Sequence, residues 1–97
     1  MSGIIRVTPA ELEAMAKRYV HEAGEVDLQI GRLDKMISEL DTIWDGAAST
    51  AFAEQYARLQ PEFVKMSELL RSIDRQLDST AKALRDADQQ IASQIRG

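Results

Sequence analysis

The chain contains no cysteine. Disulfides, thiolate metal sites and cysteine nucleophiles are therefore excluded. It contains one histidine, His21, so a metal site would have to rest on carboxylates alone. His21 falls outside the apolar seams traced below and reads as a solvated surface residue, with no metal or cofactor implied. No basic cluster is present, and the formal net charge is -4. Phosphate backbones demand concentrated Lys and Arg, so nucleic acid is not an expected partner. No apolar stretch is long enough to span a bilayer, and stable membrane insertion is not expected. The lead, Met1-Ser2-Gly3-Ile4-Ile5-Arg6-Val7, lacks both a basic start and a long apolar run. It does not resemble a secretory signal peptide, and it is expected to be loose.

What is present favours helix. Ala, Leu, Glu, Gln, Lys and Arg are abundant, and these residues lose little entropy in a helix. Thr8-Pro9-Ala10-Glu11 is a start signal: a hydroxyl cap, a proline at the first helical position and an acid three residues after the cap, which completes a capping box. From there an apolar series runs Leu12, Ala16, Tyr19, Ala23, Val26, Ile30, Leu33, Ile37, Leu40, Trp44, with spacings alternating four and three. That is a seam facing one partner helix. Lys17, Arg18, Glu25, Arg32, Lys35 and Glu39 lie outside it, and Glu13 and Lys17 have the four-residue order of an ion pair. Gly24 and Gly31 share one side of this helix. They are either a tolerated cost of roughly 1 kcal/mol each or a site of close helix approach.

A second series with the same alternation reads Phe52, Tyr56, Leu59, Phe63, Met66, Leu70, Ile73, Leu77, Thr80, Leu84, Ala87, Ile91. Pro61 lies on its outer side and should kink the helix without ending it, since the seam continues in phase. The expected architecture is all-α: a single hairpin domain over residues 1–97, with helix one about 9–43, a turn at 44–46 and helix two about 47–94. Residue 44 then lies near 48 and residue 9 near 82, so the chain beyond about residue 82 has no partner within its own hairpin. Met15, Val20, Met36 and Ile43 flank the first seam, and Val64 and Leu69 the second. That stripe is wider than a two-helix contact needs. A second copy would cover it, giving a homodimeric four-helix bundle, with a different hairpin as partner also open. A chain this short has reason to seek burial from a partner.

No catalytic constellation emerges, and an enzyme is not expected. Glu22, Glu25, Asp74 and Asp78 are spread over solvated faces, which offers no acid–base pair. Asp45-Gly46-Ala47-Ala48-Ser49-Thr50 has no phosphate-loop lysine and reads as a turn and a helix start. Tyr19, Phe52, Tyr56 and Phe63 fall at core spacing. Trp44 sits at the hairpin tip, as a plug over the open end of the helix contact or as a recognition surface, and Gly46 supplies the positive φ that a tight reversal needs. In the tail, Leu84, Ile91 and Ile95 share one helical face with Asp88 among them. Such an overhang is either an anchor set for a groove, or it packs on another subunit or frays.

Two amphipathic helices around a central Trp44-Asp45-Gly46, followed by Ala48 and Phe52, resemble the WXG100 family of type VII (ESX) secretion substrates over essentially the whole chain. The resemblance implies non-enzymatic export without a cleaved signal peptide, to the extracellular space, as a folded dimer. It implies a C-terminal signal read by a membrane-embedded machine with an FtsK/SpoIIIE-type ATPase. One form of that signal is a tyrosine followed four residues later by an acid. Here Leu84 replaces the tyrosine, Asp88 keeps the acid, and Ile91 and Ile95 supply the hydrophobic surroundings seen in the Gram-positive, self-pairing branch. The expected sites are Trp44 and Gly46 for the turn, and Leu84, Asp88, Ile91 and Ile95 for the signal. Two other functions fit the apolar stripe: a membrane-permeabilising effector, and an intracellular adaptor or chaperone for a co-secreted toxin.

Overall fold

The computed structural model describes residues 7–96. The lead expected to be loose falls mostly on residues 1–6, outside the described residues. Two helices account for nearly everything else: α1, Pro9–Ile43, and α2, Ala47–Arg96. They form an antiparallel hairpin one helix thick, 77 × 26 × 16 Å.

Local chemistry sets the ends of α1. The Thr8 amide donates to Glu11 Oε2 at 3.2 Å, and the Glu11 amide donates to Thr8 Oγ1 at 3.1 Å. With Pro9 at the first helical position, this capping box satisfies amides that a helix start leaves unpaired. At the other end, Trp44 leaves the helix in an extended conformation, φ -133 and ψ 108. Gly46 follows at φ 110, a value that side chains resist. Its carbonyl then accepts from the Thr50 amide at 3.2 Å, the first hydrogen bond of α2. Pro61 is exposed inside α2, and the helix runs through it.

The contact between the helices differs from the sequence expectation on the α2 side. The buried residues are Ala16 and Ala23 on α1, and Ser49, Ser67 and Ala81 on α2. On α2 the inward line is therefore Ala53, Gln60, Ser67, Asp74 and Ala81, one position further along than Phe52, Leu59, Met66, Ile73 and Thr80. Ser67 is 2% exposed and Ala81 0%, whereas Phe52, Leu59 and Met66 are 44%, 48% and 50% exposed. The shared line Tyr56, Leu70 and Leu77 is half-buried, and Phe63 is exposed at its edge. The reason is steric. Small residues let two helix backbones approach closely, while large ones hold them apart. On α1, Leu12, Tyr19, Val26, Ile30, Leu33, Ile37 and Leu40 are all half-buried, because they border this narrow contact instead of filling it.

Polar members of the seam are tied across it. The Tyr56 hydroxyl donates to Asp34 Oδ1 at 2.5 Å, and the Gln60 amide reaches both Asp34 oxygens at 3.3 and 3.4 Å. Arg71 donates to Ser67 Oγ and, at 2.7 Å, to Asp27 Oδ2. Among the described residues no buried side-chain polar atom lacks a partner, which is what a low-dielectric contact requires. Gly24 and Gly31 face open space, so among the described residues neither marks a close helix approach.

The seam makes a specific demand on size. Replacing the fully buried Ala23 by Leu is expected to cost about 1–3 kcal/mol through overpacking. Urea unfolding followed by circular dichroism measures it; an unchanged midpoint would mean that α1 and α2 are not in close contact at that position.

Candidate functional site: the open face and the overhanging tail

Burying small residues leaves the large ones outside. Val26, Ile30, Leu33, Phe63 and Met66 line a groove of about 540 Å³ along one side of the hairpin. Towards the tip a second groove is lined by Met36, Ile37, Leu40, Phe52 and Tyr56 with Leu33. Trp44 packs on Phe52 with ring centroids 5.9 Å apart and planes at 51°. Such tilted pairs are favoured by the ring quadrupoles. Both rings stay more than one-third exposed, so the tip carries an aromatic pair that is structural on one side and open on the other.

The tail follows from helix length. α2 has 50 residues to the 35 of α1, so fifteen residues, 82–96, run past the start of α1. At 1.5 Å per residue this overhang is about 22 Å long. Its inward face is not a new face. Asp88 and Ile95 continue the line of Ala53, Gln60, Ser67, Asp74 and Ala81 at seven-residue steps, and Leu84 and Ile91 continue the line of Tyr56, Phe63, Leu70 and Leu77. Leu84, Ile91 and Ile95 are 37%, 54% and 81% exposed. The structure thus brings the four predicted signal residues onto one open stripe and places Trp44 and Gly46 together at the opposite end.

One contact reaches the tail that sequence reasoning missed. Arg85 grips Glu13 with both guanidinium nitrogens, the Nη2–Oε1 bond measuring 2.8 Å. Side chains on a helix lean towards its N-terminus, so Glu13 leans outward and Arg85 leans back, and they meet although α1 begins only at Pro9. The expected Glu13–Lys17 pair gives way to this bidentate fork, whose geometry suits a carboxylate better.

The charges along the hairpin respond accordingly. The Arg85 hydrogen bond holds the Glu13 carboxyl below its ordinary 4.5, against partial burial. Arg71 and then Ser67 hold Asp27 below its ordinary 3.8. Asp78 moves the other way, raised first by burial and then by Asp74 and Glu13. Asp78, expected as a separate solvated group, thus feels the charges of Asp74 and Glu13. Tyr56 is pushed up to about 12 by burial and by the Asp34 carboxylate. His21 is largely exposed, 3.7 Å from Glu25. Among the described residues no three His, Asp or Glu side chains are gathered to hold a metal ion, and no helix is long and apolar enough to cross a membrane.

The sequence profile of a family described as proteins of 100 residues with WXG matches residues 4–89. The chain belongs to the WXG100 family. Its members are secreted structural or effector proteins, not enzymes. Protein YukE of Bacillus subtilis is 57% identical over 97 residues, covering 100% of both chains. Type VII secretion system extracellular protein A of Staphylococcus aureus is 31% identical over 91 residues, covering 94% of each. Among solved structures, EsxA of Geobacillus thermodenitrificans superposes with a TM-score of 0.81 at 50% identity, covering 93% of this chain and 100% of that one. The secreted protein EsxB of Bacillus anthracis gives 0.79 at 30% identity, covering 90% and 99%. Trp44 and Gly46 are the Trp and Gly for which WXG100 is named, and here one caps α1 while the other opens α2.

The ion pairs imply an acid response of definite shape. Asp78, with a raised value, takes up its proton first as pH falls, which relieves repulsion and stabilises the fold. Glu13 and Asp27 contribute fully above their ordinary values, and that contribution is lost as pH falls further, through their lowered values. Melting temperature followed from neutral pH downward should rise slightly and then fall. Asp78→Asn should remove the rise and lift the neutral value; an unchanged neutral melting temperature in that variant would refute the repulsion at Asp78.

Proposed function

We propose that this chain is a non-enzymatic substrate of a type VII secretion system, exported as a folded homodimer. One observation carries the reading: α2 outruns α1 by fifteen residues and, among the described residues, leaves Leu84, Asp88, Ile91 and Ile95 on an exposed stripe. A helix with apolar anchors at four- and three-residue steps is what a groove-type receptor engages. The relatives agree in the words of their names, one a type VII extracellular protein and another a secreted protein.

The division of labour follows from the seam. Its small residues close the hairpin, and the large residues left outside, Leu33, Met36, Phe52, Leu59 and Met66, form the surface for a second copy. Two hairpins joined there make a four-helix bundle with a conventional core. The tail lies beyond that contact, free for an ATPase of the FtsK/SpoIIIE type. The Trp44–Gly46 tip serves first to build the hairpin, and its exposed aromatic pair is available as a second recognition element.

Deleting residues 83–97 leaves an α2 that still matches the length of α1, so the truncated protein should sediment as a helical dimer. It should be absent from the culture supernatant, as the intact chain should be in cells lacking the secretion ATPase. Normal secretion of the truncated chain would refute the tail assignment, and a folded monomer at high concentration would refute the dimer.

A further inference from the structure

Asp88 stands on the tail stripe between Leu84 and Ile91, and it is exposed. On a helix a side chain meets its neighbours three and four positions away. For Asp88 these are Leu84, Arg85, Ile91 and Ala92. Arg85 is the single cation among them, and it is turned elsewhere. Its guanidinium grips Glu13 on α1, with Nη2 2.8 Å from Oε1. We propose that Glu13 is a positioning residue for the tail. It holds Arg85 away from Asp88, so that the acid is offered, among apolar anchors, to a receptor groove that brings a cation of its own. The receptor's chemistry rests on reading the tail as an address; the diversion of Arg85 does not.

Three observations support the diversion. The first is that the fork belongs to a repeat. Glu13 and Asp27 lie fourteen positions apart on α1, and Arg71 and Arg85 lie fourteen apart on α2. Asp27 accepts from Arg71 at 2.7 Å as Glu13 accepts from Arg85. Fourteen residues are close to four helical turns, so both ties run along one edge of the hairpin. It is not the edge with the grooves. Val26 lines a groove, and Asp27, about 100° further round the helix, stands on the other side of the buried Ala23 line. Glu13 therefore draws the guanidinium away from the side on which Leu84 and Ile91 continue the row of Phe63.

The second is strength. An Arg–Asp pair three apart on one exposed helix is weak. A bidentate fork between two helices engages both guanidinium nitrogens and is stronger. Arg85 has two carboxylates within its range, and it takes Glu13. The third is the disposition of the other charges. Lys82 is bonded to Asp86 at 3.1 Å, and Arg96 lies eight positions beyond Asp88. Asp78 is near enough to Glu13 to feel its charge, and that neighbouring acid adds to the pull on a guanidinium at the foot of α1.

Carboxyl labelling tests the diversion. The purified full chain is treated with a carbodiimide and glycine ethyl ester, and tandem mass spectrometry follows the rate at Asp88. A carboxylate engaged by a guanidinium reacts more slowly than a solvated one. Glu13→Gln should slow labelling of Asp88 about twofold, the shift that a helical pair of this spacing supports. Adding Arg85→Gln should restore the parent rate. A tail that merely loosened on losing Glu13 would label faster, not slower. An unchanged or faster rate in Glu13→Gln, or no recovery in the double variant, would overturn the proposal. In export, Glu13→Gln should lower the amount secreted and the double variant should recover it; normal export of Glu13→Gln would overturn the receptor's chemistry. The labelling involves no secretion, so its failure leaves the tail's role in export standing. Normal secretion of a chain lacking residues 83–97 would overturn that role and leave the diversion of Arg85 intact.

Discussion

The close approach of two helices over small residues is the constraint from which the other features follow. Ala16 and Ala23 on one side, with Ser49, Ser67 and Ala81 on the other, leave little apolar side chain inside the hairpin. Burial of methyl-sized groups contributes far less than burial of leucine or phenylalanine. The hairpin therefore closes with polar ties as well: Asp34 to Tyr56 and Gln60, and Asp27 to Arg71. Such ties add modestly to stability, but they fix which residues stand opposite one another. The large apolar side chains lie instead on the outer face, where Phe52, Leu59, Phe63 and Met66 stay exposed. In the proposed dimer, association would complete the burial that folding of one hairpin begins.

Legibility in the sequence divides along the same line. The start of α1 was readable because Thr8, Pro9 and Glu11 act on their immediate neighbours. The reversal was readable because a glycine at φ 110 answers to backbone sterics alone. The phase of α2 was not. Hydropathy shows which residues avoid water, but it does not say which surface takes them. Phe52, Leu59 and Met66 have the spacing of a hairpin or dimer core, and within this chain they lie on the open face. The signal was present all the same: Ala53, Gln60, Ser67, Asp74 and Ala81 recur every seventh position as small or hydrogen-bonding residues. The Glu13–Arg85 pair could not be read, since its members lie 72 positions apart and Lys17 offered equivalent charge nearby. The tail stripe was legible in outline, because it depends only on one helix outlasting the other.

The ties across the hairpin span 22, 26, 44 and 72 positions, lengthening steadily from the tip. Taken singly, the outermost would demand closure of a long loop. Taken in order, each closes only the short increment left by the one before, because the cost of a loop grows with the segment still free. A hairpin closing from Gly46 outward would therefore make each of these ties as a short loop. A chain emerging N-terminus first has all of α1 available before any of α2 appears. Each turn of α2 can then be laid down against a waiting neighbour, and the last fifteen residues are made after that neighbour has run out.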